Sequence, residues 1–468
     1  MKKTKIICSI GPASRNYETM LKMVDSGMNV ARINFSHATD IEKEETISIV
    51  KKINKETHSN VAILFDTKGP DFRTGNLENG EIVLEEGKNI KIVKEDILGT
   101  VDKITINYKE ALDSVKINDI VLLEDGLMKL LVIEKNKEGI TCKIINGGVL
   151  GERKGINVPG VKLDMPFIND RDKEDIVYAC ENDGDFLALS FVSSKEDILV
   201  VKEILNENNS TMKIISKIES STAIENIDEI IEYSDGIMVA RGDLGVEMPV
   251  HELPILQKMI IEKCRKKGKI CIVATEMLSS MQKGARPTRA EVSDIANAVL
   301  DGTDAVMLSG ETTVGKHPID SVRYMSDICE NTEKYIDYKK QTTCKIVPDI
   351  TGAIASSVVA NANLLDVKVI VAATMSGYTA KKISSLRPKS LILASCPTQK
   401  IARSLSLNWG VYSVIVPTYE TTDEIVSDSI NRAKEFLSLK EKDIIVITGG
   451  FPINEANKIT NFLKIKEL

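Results

Sequence analysis

The chain lacks any run of the ~20 apolar residues that a membrane-spanning helix requires. Its first residues, MKKTKIICSIGP, start like a secretion signal, but the apolar run is too short and Gly11-Pro12 ends it. Eight cysteines are scattered, with no CxxC pair and no Cys/His zinc spacing, so they read as reduced core residues of a cytoplasmic protein. Four histidines, His37, His58, His251 and His317, form no cluster. No Walker A sequence occurs and no GxGxxG follows a strand, so a nucleotide needs another mode of binding. Low-complexity segments are also missing. What is present is ordinary for a globular chain: 43% hydrophobic and 28% charged residues. A net charge of −7 argues against a general nucleic-acid or anionic-membrane partner, although local cations still allow a small anionic substrate. A length of 468 residues predicts roughly three domains.

Short runs rich in Val and Ile alternate with amphipathic segments. Residues 5–10, 29–34 and 61–65 read as strands, separated by helices over 16–26 and 41–57. From 71 to 165 the runs become short and alternating: EIVLEEG, NIKIVK, DIVLLEDG, KLLVIEKN and ITCKIING. They predict an antiparallel β unit, and an all-β insertion joined by two connections suits a hinged cap. Strands then return at 185–191, 212–217, 236–240, 269–274 and 304–308, each followed by a helix, the one after 212–217 at 223–233. Eight strand–helix units, interrupted once, fit a closed (β/α)8 TIM barrel of the α/β class. Residues 341–348 read as a linker, and the rest outlines a three-layer α/β unit with a parallel sheet. The expected division is a split barrel at 1–69 and 166–340, a β-barrel-like lid at 70–165, and a C-terminal unit at 341–468.

Such barrels place their chemistry at the C-terminal ends of the strands. Two apolar runs, in MKIISKIES and DGIMVARGDLGVEMP, stop on Lys217 and Glu219, and on Arg241 and Asp243. Buried strands that end in opposed charges are costly unless those charges meet a ligand or a metal. Other strand ends add Arg32, Asn34, Ser36 and His37; Asp66, Thr67 and Lys68, with Arg73 close by; Thr275 and Glu276; and Ser309 and Glu311. Glu219 and Asp243 are hard oxygen ligands suited to Mg²⁺ or Mn²⁺, with water and substrate oxygens completing the shell. Asn34, Ser36, Asp66 and Thr67 carry one net charge among them, which suits a monovalent cation. Lys217 and Arg32 can balance a phosphoryl group. Residues 242–246 can open a short helix whose free N–H groups hold an anion such as a carboxylate. The set points to phosphoryl transfer. A non-catalytic phosphometabolite binder, or a metal-dependent lyase acting on 2-oxo acids, shares part of it. TMSGYT (374–379) offers Thr374, Ser376, Gly377 and Thr379 as a phosphate cradle or as a plain turn. Trp409, the single tryptophan, is expected in a core or between domains.

MNVARINFSH (28–37), FDTKGPDFRTG (65–75), ISKIES (215–220), MVARGDLGVEMP (238–249) and RPTRAEVSDIANAVLDGTDAVMLSGET (286–312) closely resemble the pyruvate kinase family. NGGVLGERKGINVPG (146–160) resembles the return strand of its lid. The likeness runs in order from about residue 3 to 330, and more weakly to the end. It implies a barrel, a lid and a regulatory C-terminal domain in a homotetramer. The implied reaction is the last step of glycolysis: phosphoenolpyruvate and ADP give pyruvate and ATP. It implies Mg²⁺ (or Mn²⁺) on Glu219 and Asp243, and K⁺ on Asn34, Ser36, Asp66 and Thr67. Lys217 would steady charge on the phosphoryl group and the enolate, and Arg32 would meet the phosphate. Thr275 and the backbone at Gly242 and Asp243 would bind the substrate carboxylate. Arg73, Lys154, Asn34 and His37 would face the nucleotide. Thr275, with Ser309 and water, would relay a proton to the enolate. Arg241 is then left to brace its turn.

Three positions depart from the family pattern. Asp71-Phe72 stands where Glu-Ile is usual. Glu276 replaces a usual Gln and adds a carboxylate near the metal. GGFPINEANKITN (449–461) is more acidic and less Gly-rich than the loop closing the fructose-1,6-bisphosphate site in activated members. A phosphorylated effector of open identity is therefore expected at 374–379.

Overall fold

The computed structural model describes residues 1–70, 72–161, 163, 165–338, 349–450 and 459–468. The Asp71 departure, the linker at 341–348 and positions 451–458 of the C-terminal loop lie outside the described residues.

Eight parallel strands close into a barrel: β1 (Lys5–Ser9), β2 (Val30–Asn34), β3 (Ala62–Asp66), β4 (Phe186–Leu189), β5 (Lys213–Ile218), β6 (Gly236–Ala240), β7 (Ile270–Ala274) and β8 (Ala305–Leu308). Each pairs with its neighbour in sequence, and β8 returns to β1. The strands are apolar on both faces because both are covered. Ile7, Leu64, Ala188, Ile215, Met238 and Met307 fill the lumen. Ile6, Ile33, Phe65, Leu187 and Val239 pack outward on the helices. Gly236 opens β6 where a side chain has no room: a Cβ there would stand 2.8 Å from Ile215 and 2.9 Å from Ile270.

The helix expected at 223–233 is two helices, Ser221–Glu225 and Ile227–Tyr233. Asn226 separates them at φ −98°, ψ 14°, and its amide donates to the Ser193 carbonyl. A polar side chain held by a neighbouring loop breaks an otherwise apolar-periodic segment.

The insertion after β3 forms a six-stranded sheet and a two-stranded ribbon around its own apolar cluster. It is not wholly antiparallel as expected: Lys103–Thr105 pairs in parallel with Asn89–Val93. Three residues at a sheet edge are too few to show alternation in sequence. The C-terminal unit has the sheet order β11-β10-β9-β12-β13, with β9 (Val369–Ala373), β10 (Leu391–Cys396), β11 (Val411–Ile415), β12 (Ile444–Gly449) and β13 (Phe462–Glu467). Its parallel reading needs one correction, because β13 is antiparallel to β12. The last four residues of β13 are exposed, so this edge strand has no apolar signature.

The C-terminal unit seals the barrel floor. Leu407 joins the lumen cluster. Trp409 is 1% exposed, with the Arg387 guanidinium 4.9 Å from its ring centre. Arg387 also binds Asp304 at 3.0 Å, a buried ion pair between the two units.

Candidate active site

Four charged groups meet on the rim at the C-terminal ends of β2, β3 and β5. The Lys217 ammonium lies 2.9 Å from Glu219 and 3.3 Å from Asp66, and donates to Ser190 Oγ at 2.8 Å. The Arg32 guanidinium binds the other Asp66 oxygen at 2.7 Å and Ser9 Oγ at 2.7 Å. Strand register brings them together: Asn34 lies beside Asp66, and Asp66 beside Ala188. Burial pushes the Asp66 carboxyl up, but Arg32 and Lys217 outweigh it and hold the group below its usual range. Burial likewise pulls the Lys217 ammonium down, and Asp66 with Glu219 more than restores it, leaving it protonated.

Glu219 is different. Burial pushes its carboxyl up to about 7, the Asp243 charge adds to that rise, and Lys217 opposes it. Its second oxygen accepts the Phe191 N–H at 2.6 Å. A second carboxylate charge acting on the buried Glu219 marks a place where a cation lowers the energy of the arrangement. Among the described residues no three metal-ligating side chains converge. An ion held by this pair therefore completes its shell from water or a ligand, as Mg²⁺ commonly does.

On the facing side of the rim, β6 runs directly into the helix Arg241–Glu247. Its N-terminus is braced from β7. The Gly242 N–H donates to Thr275 Oγ at 2.9 Å, and that hydroxyl donates to the Ala274 carbonyl at 2.6 Å. Arg241 binds the carbonyls of Ala274 and Thr275 and the Asp294 carboxylate. All of its contacts point into the scaffold. Thr275 and Glu276 both sit at positive φ, 66° and 54°, a conformation a β-branched residue adopts only under constraint. The turn thereby holds the start of the helix at the rim, with the Thr275 hydroxyl on the Gly242 N–H.

The remaining predicted residues fall into three groups. Asn34 accepts the Ser36 N–H, Thr67 Oγ accepts the Ser190 N–H, and Ser36 and His37 are exposed beyond β2. The Ser309 N–H is held by the buried Glu311, which also holds the Leu278 N–H. Arg73 and Lys154 lie side by side on the insertion: Arg73 bridges to Gly155, and the Lys154 ammonium binds Glu124 at 2.6 Å. A cavity of about 250 Å³ separates this sheet from the rim, with Arg73 and Phe72 on one wall and Asp243, Ser220 and Phe191 on the other. In the C-terminal unit Gly377, at φ 81°, starts the helix Tyr378–Ser385, and the Thr379 hydroxyl pairs with that of Thr460.

Ser190 and Ser9 were not among the residues predicted for this site. Each occupies a place of the same kind as the others, the last position of β1 for Ser9 and the first after β4 for Ser190. Neither carries charge, so only the strand-end rule points to them.

The models of the pyruvate kinase barrel domain and of the pyruvate kinase alpha/beta domain match residues 1–322 and 352–466. The chain belongs to the pyruvate kinase family. A pyruvate kinase of Geobacillus stearothermophilus is 44% identical over 99% of this chain and 80% of its own length. One from Staphylococcus haemolyticus is 45% identical over the same shares. A crystal structure of a pyruvate kinase from Cryptosporidium parvum superposes with a TM-score of 0.95 at 39% identity, covering 100% of this chain and 96% of that one. The closed barrel, the β insertion and the C-terminal α/β unit are those of a pyruvate kinase.

Proposed function

We propose that this chain is a phosphotransferase that moves the phosphoryl group of phosphoenolpyruvate to ADP, releasing pyruvate and ATP. The observation that carries the reading is the buried set of Arg32, Asp66, Lys217 and Glu219, facing Asp243 across the rim. Lys217 is the group placed to hold charge as it passes from the phosphoryl bridge to the enolate oxygen. Arg32, fixed by Asp66 and Ser9, orients the phosphate. The N–H groups at Gly242 and Asp243, with Thr275, hold the substrate carboxylate. Thr275, with Ser309 and water, hands a proton to the enolate carbon. Arg73 and Lys154, joined by Asn34 and His37 from the rim, meet the nucleotide phosphates as the lid closes and excludes water.

The donor sets fit two cations. Glu219 and Asp243 would hold Mg²⁺ or Mn²⁺, which when bound supplies Lewis-acid stabilisation of the transferring phosphoryl group. Asn34, Ser36, Asp66 and Thr67 offer one carboxylate among neutral oxygens and would hold K⁺. The same reading keeps the barrel at 1–69 and 166–340, the lid at 70–165 and the regulatory unit at 341–468. It extends to a cytoplasmic homotetramer with a phosphorylated effector held by Thr374, Ser376, Gly377 and Thr379.

A coupled assay of pyruvate formation from phosphoenolpyruvate and ADP tests this. Turnover requiring both Mg²⁺ and K⁺ is expected, and none with both present would overturn it. Exchanging K⁺ for Na⁺ is expected to remove most of the rate. Equal rates in the two salts would show that the monovalent set is misassigned.

A further inference from the structure

Strained backbone flanks both partners of one ion pair in the insertion. The strand Ile120–Leu123 turns back into Met128–Lys135 through residues 124–127. Glu124 and Asp125 both take positive φ, 50° and 54°, ahead of Gly126 at 83°. Across from them Arg153, just before Lys154, stands at φ 55°. Left-handed residues other than glycine persist only where their surroundings hold them. Here the Glu124 N–H donates to the Gly155 carbonyl at 3.0 Å, and the Leu127 N–H to the Glu124 carbonyl at 3.1 Å. The turn borders the cleft. Asp125 lines the cavity of about 250 Å³ between insertion and rim. A Cβ on Gly126 would stand 3.5 Å from Val246 on the helix Arg241–Glu247.

This backbone delivers the Glu124 carboxylate to the Lys154 ammonium at 2.6 Å, with the Lys154 side chain 40% exposed and that of Glu124 22%. The Lys154 backbone is fixed from the neighbouring segment. Its N–H donates to Thr74 Oγ at 2.9 Å, and its carbonyl accepts the Thr74 N–H at 2.9 Å. Only the side chain is left to choose a partner.

The chemistry of the possible partners sets their order. A single carboxylate is a modest partner for a lysine this exposed. A diphosphate brings more charge and more acceptor oxygens to the same ammonium. A lysine occupied for part of the time raises the apparent Kd of any ligand that needs it, in proportion to the occupied fraction.

We propose that Glu124 is a positioning residue of the nucleotide site. Its carboxylate stands in for a phosphate on Lys154, holds the ammonium beside the cleft, and is displaced by the nucleoside diphosphate. The inference rests on the reading of Lys154 as a group that meets the nucleotide phosphates. The displacement weakens apparent affinity for the nucleotide and not for phosphoenolpyruvate, whose proposed partners are Arg32, Lys217 and Thr275.

Isothermal titration of the full chain with ADP and Mg²⁺ tests this in wild type, Glu124→Gln, Lys154→Met and the double variant. Glu124→Gln keeps the size of the side chain and removes its charge. It should tighten ADP by about threefold at low ionic strength, with the gain fading as salt is added, and leave phosphoenolpyruvate binding unchanged. A turn that was merely damaged would weaken ADP instead. Lys154→Met should weaken ADP by about tenfold, and adding Glu124→Gln to it should gain nothing. Glu124→Gln that fails to tighten ADP, while Lys154→Met weakens it, would overturn the displacement and leave the nucleotide reading of Lys154 standing. An equal gain in both backgrounds would also overturn it, by reducing Glu124 to a general repulsion. Wild-type affinity in Lys154→Met would overturn the reading of Lys154 and this inference with it.

Discussion

Lys217 shows how one side chain depends on its neighbours. An ammonium so deeply buried would lose its proton, yet Asp66 and Glu219 keep it charged and Ser190 fixes its direction. A charge that needs no reorganisation during reaction is worth far more than one in water. Lys217→Met should therefore cut turnover by several orders of magnitude while substrate binding, followed by fluorescence titration, stays largely intact. A near-normal rate would show that the charge-holding role belongs elsewhere. Ser190 acts one step further out, through Lys217 and the Thr67 carbonyl. Thr275 is held in a left-handed conformation that Arg241 enforces by gripping its carbonyl.

That grip belongs to an element, the turn from β6 into the helix Arg241–Glu247. Arg241 spans from this turn to β7 and to Asp294 on the helix Arg289–Asp301. The helix is itself set by a capping box in which Thr288 and Glu291 hold each other's N–H groups. Asp294→Ala leaves Arg241 without its carboxylate and loosens the turn whose N–H groups are proposed to bind the substrate carboxylate. A loss of about tenfold in kcat/KM is expected from such misplacement. It should fall mainly on KM for phosphoenolpyruvate, measured by steady-state kinetics. An unchanged KM would show that the turn is held without this arm.

At the scale of the whole molecule, the C-terminal unit stabilises the barrel by closing its floor. Removing Arg387 strands Asp304, whose carboxyl burial already pushes up. Arg387→Ala should cost about 3–5 kcal/mol, read from urea unfolding, because a buried charge loses its partner. The floor also carries buried lysines. Burial pulls Lys2 down to about 8, against 10.5 for an exposed lysine, with the Cys329 thiol and the Glu333 charge opposing that fall. Between these values the unfolded chain binds more protons at this position, so stability there rises with pH. Wild type should gain on Lys2→Met as pH is raised from 8 to 10, measured by unfolding midpoints. A constant gap would mean that Lys2 titrates normally.

Much of this protein could be read from its sequence. Eight apolar runs with helical intervals define a barrel, because strands covered on both faces must be apolar along their length. Strand ends place Arg32, Asp66, Lys217, Glu219 and Asp243 on one rim, since parallel strands in a barrel share a direction. Edge strands escaped, as Lys103–Thr105 and Phe462–Glu467 show, because the first is too short to alternate and the second is exposed over its last four residues. The break at Asn226 escaped because its cause is a carbonyl on another loop. Only the tertiary structure decided which charges pair and which oppose. It sets Lys217 against two carboxylates and Arg32 against one. It buries Glu219 near Asp243 so that its carboxyl is pushed up, since burial and distance, not residue type, fix the strength of each interaction.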